Sequence, residues 1–68
     1  MSNLKRIREE KNITQIKLAE ASGVSLRIIQ HYEKGVKDIT KAQAITLYKL
    51  AKALECDIED LLEIDIKC

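Results

Sequence analysis

The side chains best suited to recognising another molecule lie within residues 14–35, TQIKLAEASGVSLRIIQHYEKG. The guanidinium of Arg27 can donate two hydrogen bonds to guanine O6 and N7, and the carboxamide of Gln30 can pair with adenine. His31 can donate or accept a hydrogen bond at a base edge or at a phosphate. The segment itself predicts two short helices joined by a tight turn, an arrangement that presents one helix to a nucleic-acid groove.

Catalytic and metal-binding chemistry are not indicated by this sequence. One histidine and two distant cysteines are too few nitrogen and sulfur ligands for a metal site. There is no nucleophile–base pair, no paired carboxylates in a cleft and no glycine-rich phosphate loop, so we expect neither an enzyme nor a cofactor. We expect Cys56 to be a small apolar core residue and Cys68 to be a free terminal thiol.

Charge is distributed unevenly along the chain. The formal net charge is only +1. Residues 1–54, however, contain eleven Lys/Arg and five Asp/Glu, whereas residues 55–68 contain one Lys and six Asp/Glu. A basic segment of this kind indicates phosphate binding, although a solvated surface with a chance asymmetry would have the same composition.

The length and hydropathy predict a single domain over residues 1–68, which is close to the lower limit for folding without disulfides or metals. No apolar run approaches the roughly 20 residues that a membrane-spanning helix needs. The N-terminus, MSNLKRIREEK, is charged and does not resemble a secretory signal, so we expect a cytoplasmic protein.

Apolar residues recur at helical spacing throughout, and the chain has no proline and two glycines, which predicts an all-α fold. We expect a first helix from Asn3, as N-cap, to Lys11, and a second from after Thr14 to Ala21. A third should begin after Ser25 and end before Gly35, where glycine favours termination. The predicted fourth helix begins at Thr40, whose TKAQ sequence has the form of a capping box, and a short fifth follows Asp57.

The spacing within the second and third helices is specific. Gly23 falls at the turn, where a positive φ is easiest for glycine, and Ala19 is small where two helices must cross closely. Ser22 departs from the apolar residue that is more usual at its position. Four further positions should point into a shared core: Leu18, Val24, Ile29 and Tyr32.

The chain resembles the lambda repressor and Cro (XRE) family of helix-turn-helix proteins. The resemblance rests on the positions just named and on three stretches of sequence: LKRIREEKNITQIKLAEASGVS, the YEKG ending of the third helix, and LYKLAKALECDIEDLLE. The resemblance covers nearly the whole chain. It implies a five-helix bundle that binds double-stranded DNA sequence-specifically, with the third helix in the major groove. It also implies a homodimer that most often represses transcription.

The resemblance also implies roles for individual residues. Gln15 is expected to touch a phosphate while bracing the third helix, and an ion pair between Arg8 and Glu33 should brace that helix against the first. Apart from the resemblance, the connector after the third helix offers Lys37 and Lys41 close to the expected DNA backbone, so we expect them at phosphates, although solvated lysines remain the alternative. The outer side of the third helix should read bases or contact the backbone through Ser25, Leu26, Arg27, Gln30, His31 and Lys34.

Leu26 and Ile28 depart from the polar residues that are common at their positions. Leu26 can pack on a thymine methyl or simply pack on the protein. Two exposed aliphatic side chains here would favour a second interpretation, in which the fold is a protein-interaction module such as an antitoxin or an inhibitor of another regulator. For the dimer, we expect spare apolar surface on the last helices and the tail, at Ile45, Tyr48, Ile58, Leu62, Ile64 and Ile66.

Overall fold

The computed structural model describes residues 2–63, and this part of the chain folds into five α-helices and one short 3-10 helix. The α-helices are α1 (Asn3–Glu10), α2 (Gln15–Ser22), α3 (Leu26–Lys34), α4 (Ala44–Leu54) and α5 (Ile58–Leu61). The 3-10 helix, Ile39–Lys41, lies in the connector between α3 and α4. The predicted all-α fold is confirmed, and the ends of α1 and α2 differ by one residue from the sequence expectation.

Two predicted caps are confirmed. The hydroxyl of Thr14 accepts the backbone N–H of Lys17 at 3.1 Å, and the hydroxyl of Ser25 accepts the N–H of Ile28 at 3.2 Å. Each of these hydrogen bonds satisfies an N–H group that lacks a partner within the first helical turn. The beginnings of α2 and α3 are therefore set by residues directly before them.

The predicted N-cap at Asn3 is wrong. Ser2 caps α1, and its hydroxyl accepts the N–H of Lys5 at 3.2 Å. Asn3 is the first residue of the helix, and its side-chain Nδ2 donates to the carbonyl of Leu62 at 2.9 Å. The backbone N–H of Asn3 donates to Oε1 of Glu63 at 2.9 Å, so the start of α1 is joined to the segment after α5.

The predicted capping box at Thr40 is also wrong. Asp38 accepts the N–H of Thr40 at 3.0 Å, which begins the 3-10 helix, and extended backbone at Ala42 separates this helix from α4. Gln43 precedes α4 without a side-chain cap. The hydroxyl of Thr40 accepts the N–H of Glu63 at 3.0 Å, a long-range hydrogen bond that replaces the local one.

The core lies between all five α-helices and the 3-10 helix. Its fully buried side chains come from α1, α2, α3, α4 and α5: Leu4, Leu18, Ile29, Leu50, Leu54 and Leu61. Val24 and Tyr32 are buried as predicted, and Ala19 packs against the core where α2 meets its neighbours. The helix-turn-helix pair is thus held by the same core as the rest of the described chain.

Substitution of Gly23 by alanine tests how much the turn between α2 and α3 depends on glycine. Its φ is +75°, and a Cβ added there would meet nothing within 4 Å, so Gly23→Ala introduces backbone strain without a clash. We expect a loss of about 1 kcal/mol of unfolding free energy, or roughly 4–8 °C in Tm. Gly35→Ala, at φ +80° and equally open, should lose a similar amount in the same thermal melts. A loss above about 3 kcal/mol at Gly23 alone would contradict this explanation.

Candidate nucleic-acid interface

The turn between α2 and α3 is closed by backbone and side-chain hydrogen bonds. The N–H of Gly23 donates to the carbonyl of Ala19 at 2.9 Å, and the hydroxyl of Ser22 accepts the N–H of Val24 at 3.1 Å. Ser22 therefore supplies a polar contact at the position where an apolar residue is more usual. This turn holds the start of α3 in place relative to α2.

A buried ion pair fixes the other end of α3. Nε of Arg8 donates to Oε2 of Glu33 at 2.7 Å, and Nη2 donates to Oε1 at 3.0 Å. The side chains of Arg8 and Glu33 are 12% and 3% exposed. The hydrogen bond to Glu33 raises the pKa of Arg8, while burial acts in the opposite direction. The predicted Arg8–Glu33 pair is present, and it joins α3 to α1 through two parallel hydrogen bonds.

Gln15 belongs to the same network. Its Nε2 donates to Oε1 of Glu33 at 3.0 Å, so the predicted bracing contact between α2 and α3 is present. Nη1 of Arg8 also donates to the carbonyl of Ile13 at 2.8 Å, immediately before α2. One carboxylate on α3 therefore receives hydrogen bonds from both α1 and α2.

The outer residues of α3 differ in how far they reach solvent. Arg27 and Lys34 are exposed along α3, and Ser25 is exposed just before it. Leu26, Gln30 and His31 are partly buried, so their side chains reach solvent over only part of their surface. Arg27, Gln30 and Lys34 are spaced by three and four residues, which places them on one side of the helix.

Ile28 does not have the expected exposure. It is partly buried and packs against the hydrophobic core, because its position on α3 faces the connector and the start of α4. Leu26 is also partly buried, so the expectation of two exposed aliphatic side chains is wrong. The protein-interaction alternative is weakened, most clearly at Ile28, because only Ile28 of the two packs against the core.

His31 is held by its backbone at the end of α3. Its carbonyl accepts the N–H groups of Val36 and Lys37, at 2.9 and 3.2 Å, which turns the chain sharply after Gly35. The Nδ1 atom of its ring is buried and has no hydrogen-bond partner within residues 2–63. Any contact that His31 makes with another molecule would therefore use the opposite ring nitrogen, Nε2.

A groove separates the start of α3 from the connector and α4. We call it the α3–α4 groove; it has a volume of about 640 Å³ and brings together Ser25, Lys37 and Lys41 from the predicted set. Gln15 lies instead in the ion-pair network, and Arg27, Gln30, His31 and Lys34 do not line the groove. The sequence interpretation missed three residues on its far wall: Gln43, which directly precedes α4, and Thr46 and Lys49 on α4, all spaced by three along the chain.

Other features of the described residues do not form a site. Cys56 is a free thiol that is half-buried against the core, and desolvation, followed by the nearby carboxylate of Asp60, raises its pKa. No three His, Cys, Asp or Glu side chains within residues 2–63 are arranged to hold a metal ion. Over the same range, no helix combines the length and apolar character needed to cross a membrane.

The fold and this braced third helix define a helix-turn-helix protein. A family model described as "Helix-turn-helix" matches residues 4–61 of the chain. The chain therefore belongs to the lambda repressor-like, XRE-type helix-turn-helix family, as the sequence resemblance predicted.

A curated relative is similar over much of the same region. The chain is 42% identical over 53 residues to the uncharacterized HTH-type transcriptional regulator y4dJ of Sinorhizobium fredii (strain NBRC 101917 / NGR234). The match covers 78% of this chain and 65% of the relative. The chain thus spans slightly less than two thirds of that protein's length.

The Arg8–Glu33 pair provides a stability test. Glu33→Ala leaves the Arg8 guanidinium buried without its carboxylate, so we expect a loss of about 3–5 kcal/mol in chemical denaturation. Glu10→Ala is the matched control, because it breaks the Arg6–Glu10 pair, whose side chains are 48% and 61% exposed. That exposed pair should contribute at most about 1 kcal/mol. Equal losses in the two variants would contradict the bracing role of Glu33.

Proposed function

We propose that this protein is a transcriptional regulator that binds double-stranded DNA with α3 in the major groove. The observation that carries the proposal is the bracing of α3 by Arg8 and Gln15 through Glu33, which leaves the opposite side of the helix, with Arg27, facing solvent. Family membership and the regulator y4dJ as a relative support the same function. A rigid helix with an exposed polar face is the element that inserts into a major groove.

Base recognition is assigned mainly to Arg27. Its exposed guanidinium can form the bidentate contact with guanine. Gln30 is partly buried, and it would reach an adenine from the side of α3 that also carries Arg27. Leu26 would meet a thymine methyl, and His31 would use Nε2. The Ser25 hydroxyl oxygen accepts the N–H of Ile28 and so caps α3. Its O–H group would remain able to donate a hydrogen bond to DNA.

Contacts with the DNA backbone are proposed for residues at the end of α3 and on either side of it. Gln15 donates one Nε2 hydrogen to Glu33, and the second hydrogen on the same nitrogen can donate to a phosphate. Lys34, Lys37 and Lys41 are exposed and supply positive charge after and beside the helix. These contacts would position the protein without reading sequence.

A homodimer would place two copies of α3 on half-sites about one DNA turn apart. Ile45 and Tyr48 on α4 support this arrangement, because their side chains are 55% and 51% exposed although both are large and hydrophobic. Ile58 and Leu62 pack partly against the core and offer less free area than expected. Ile64 and Ile66 lie outside the described residues. Occupation of an operator by the dimer would repress transcription by excluding polymerase.

DNA binding is tested with electrophoretic shifts on random duplex at several salt concentrations, followed by selection of bound sequences from a random pool. We expect affinity to fall by about 0.9 log unit per phosphate contact for each log unit of salt, and the selected sites to be palindromic. Arg27→Ala should cost about 1–3 kcal/mol at one base pair of each half-site. Arg6→Ala removes the same charged group from α1 and should leave the selected sequence unchanged. Absence of binding at low salt would contradict the proposed function.

The dimer is tested by sedimentation without DNA. Ile45→Glu places a charge on the exposed face of α4, and we expect it to shift a micromolar dimer to monomer because the buried charge lacks a partner. Ile16→Glu is the matched control: this α2 isoleucine is 60% exposed, and its replacement should leave the dimer intact. A wild-type monomer at high micromolar concentration, with and without DNA, would contradict the dimer but not DNA binding itself.

A further inference from the structure

The far wall of the α3–α4 groove carries positive charge that no assigned role uses. Lys49 lies on the second turn of α4 and lines the groove together with Thr46, opposite Ser25. The DNA contacts expected from the sequence fall on α2, α3 and the connector, and none falls on this part of α4. The side of the groove away from the recognition helix is therefore polar and basic without an evident structural reason.

The charges in the groove favour an anion. Lys37, Lys41 and Lys49 contribute three ammonium groups, and none forms an ion pair with another residue in the range 2–63. The carboxylate of Asp38 also lines the groove, but it accepts the N–H of Thr40 and so caps the 3-10 helix. Three lysines without ion-pair partners and the one carboxylate leave the lining with a formal charge of 3 − 1 = +2, a positive potential that attracts phosphate.

The position of the groove beside α3 makes the DNA backbone the anion that would fit it. The near wall includes Ser25, which caps the helix that we place in the major groove. With α3 in a major groove, a DNA strand that borders that groove would pass beside the start of α3, and its phosphates would come within reach of the opposite wall. Lys49 and Thr46 are three residues apart and point from the same side of α4.

We propose that Lys49, with the hydroxyl of Thr46 beside it, binds a backbone phosphate and extends the DNA contact surface from the connector onto α4. The inference rests on the proposed function, because it needs α3 to occupy the major groove. The contact is independent of base sequence, so it adds affinity and fixes the tilt of the protein on the duplex. The connector carries Lys37 and Lys41 to the same groove, so their proposed phosphate contacts and that of Lys49 would lie side by side.

The test compares Lys49→Ala with Lys52→Ala on random-sequence duplex across a range of salt concentrations. Lys52 is on the same helix, but its ammonium lies 5.8 Å from the centre of the Tyr48 ring and it does not line the groove. We expect Lys49→Ala to reduce the slope of log affinity against log salt by about 0.9, the value for one phosphate contact. Lys52→Ala should keep the wild-type slope, and Lys49→Arg should retain it as well.

The outcomes separate this inference from the proposed function. Both lysines are exposed, so both alanine variants should keep the wild-type melting temperature within experimental error. Wild-type slopes in Lys49→Ala, with normal DNA binding by the wild type, would overturn the contact and leave the function intact. Equal reductions in both variants would also overturn it, because they would reflect net charge alone. Failure of the wild-type protein to bind DNA would overturn the proposed function itself.

Discussion

The carboxylate of Glu33 sets how α3 is oriented against α1 and α2. The Glu33 side chain is 3% exposed, and its carboxylate receives three hydrogen bonds, two from Arg8 on α1 and one from Gln15 on α2. A buried carboxylate is stable only when such donors are in place, since removal from water is costly for a charge. Because the three bonds come from two other helices, satisfying one charge fixes the position of α3 against both. Hydrophobic contacts, which have no preferred direction, would not set this angle.

The side of α3 opposite this network is consequently available to a partner. Ile29 and Tyr32 occupy the core, Glu33 meets Arg8 and Gln15, and Arg27 extends from the remaining side. Ser25 serves the helix as its cap and also lies at the edge of the α3–α4 groove. Structural contacts and the residues proposed for recognition therefore lie within one segment, 25–34, where few positions are free to change without affecting one or the other.

The ends of the described chain meet next to this arrangement. Asn3 binds the carbonyl of Leu62 and the carboxylate of Glu63, and the N–H of Glu63 reaches Thr40. These hydrogen bonds connect α1, the connector and the segment after α5. In a chain of 68 residues, whose apolar core is necessarily small, such directional bonds contribute to a unique arrangement of the helices. They also hold the connector that carries Lys37 and Lys41.

The amino-acid sequence was sufficient for features that depend on neighbouring residues. Thr14 and Ser25 cap the helices that follow them, Gly23 adopts the positive φ predicted for its turn, and Gly35 ends α3 as predicted. Caps and backbone conformations involve only a few consecutive residues, so they can be predicted locally. The core positions of α2 and α3 followed from helical spacing in the same way. The Arg8–Glu33 pair was predicted from family resemblance, since neither residue has a local signal for it.

Tertiary structure decided the features that depend on partners distant in the chain. Asn3 and Thr40 both have the chemistry of an N-cap, yet they bind Leu62 and Glu63, about 59 and 23 residues away, and Ser2 and Gln43 precede the helices instead. Ile28 is partly buried because the connector and α4 lie against α3, and Lys49 reaches the groove for the same reason. A side chain contacts the partners that the folded chain brings within reach. These partners can be distant in the sequence, so local sequence patterns do not predict them.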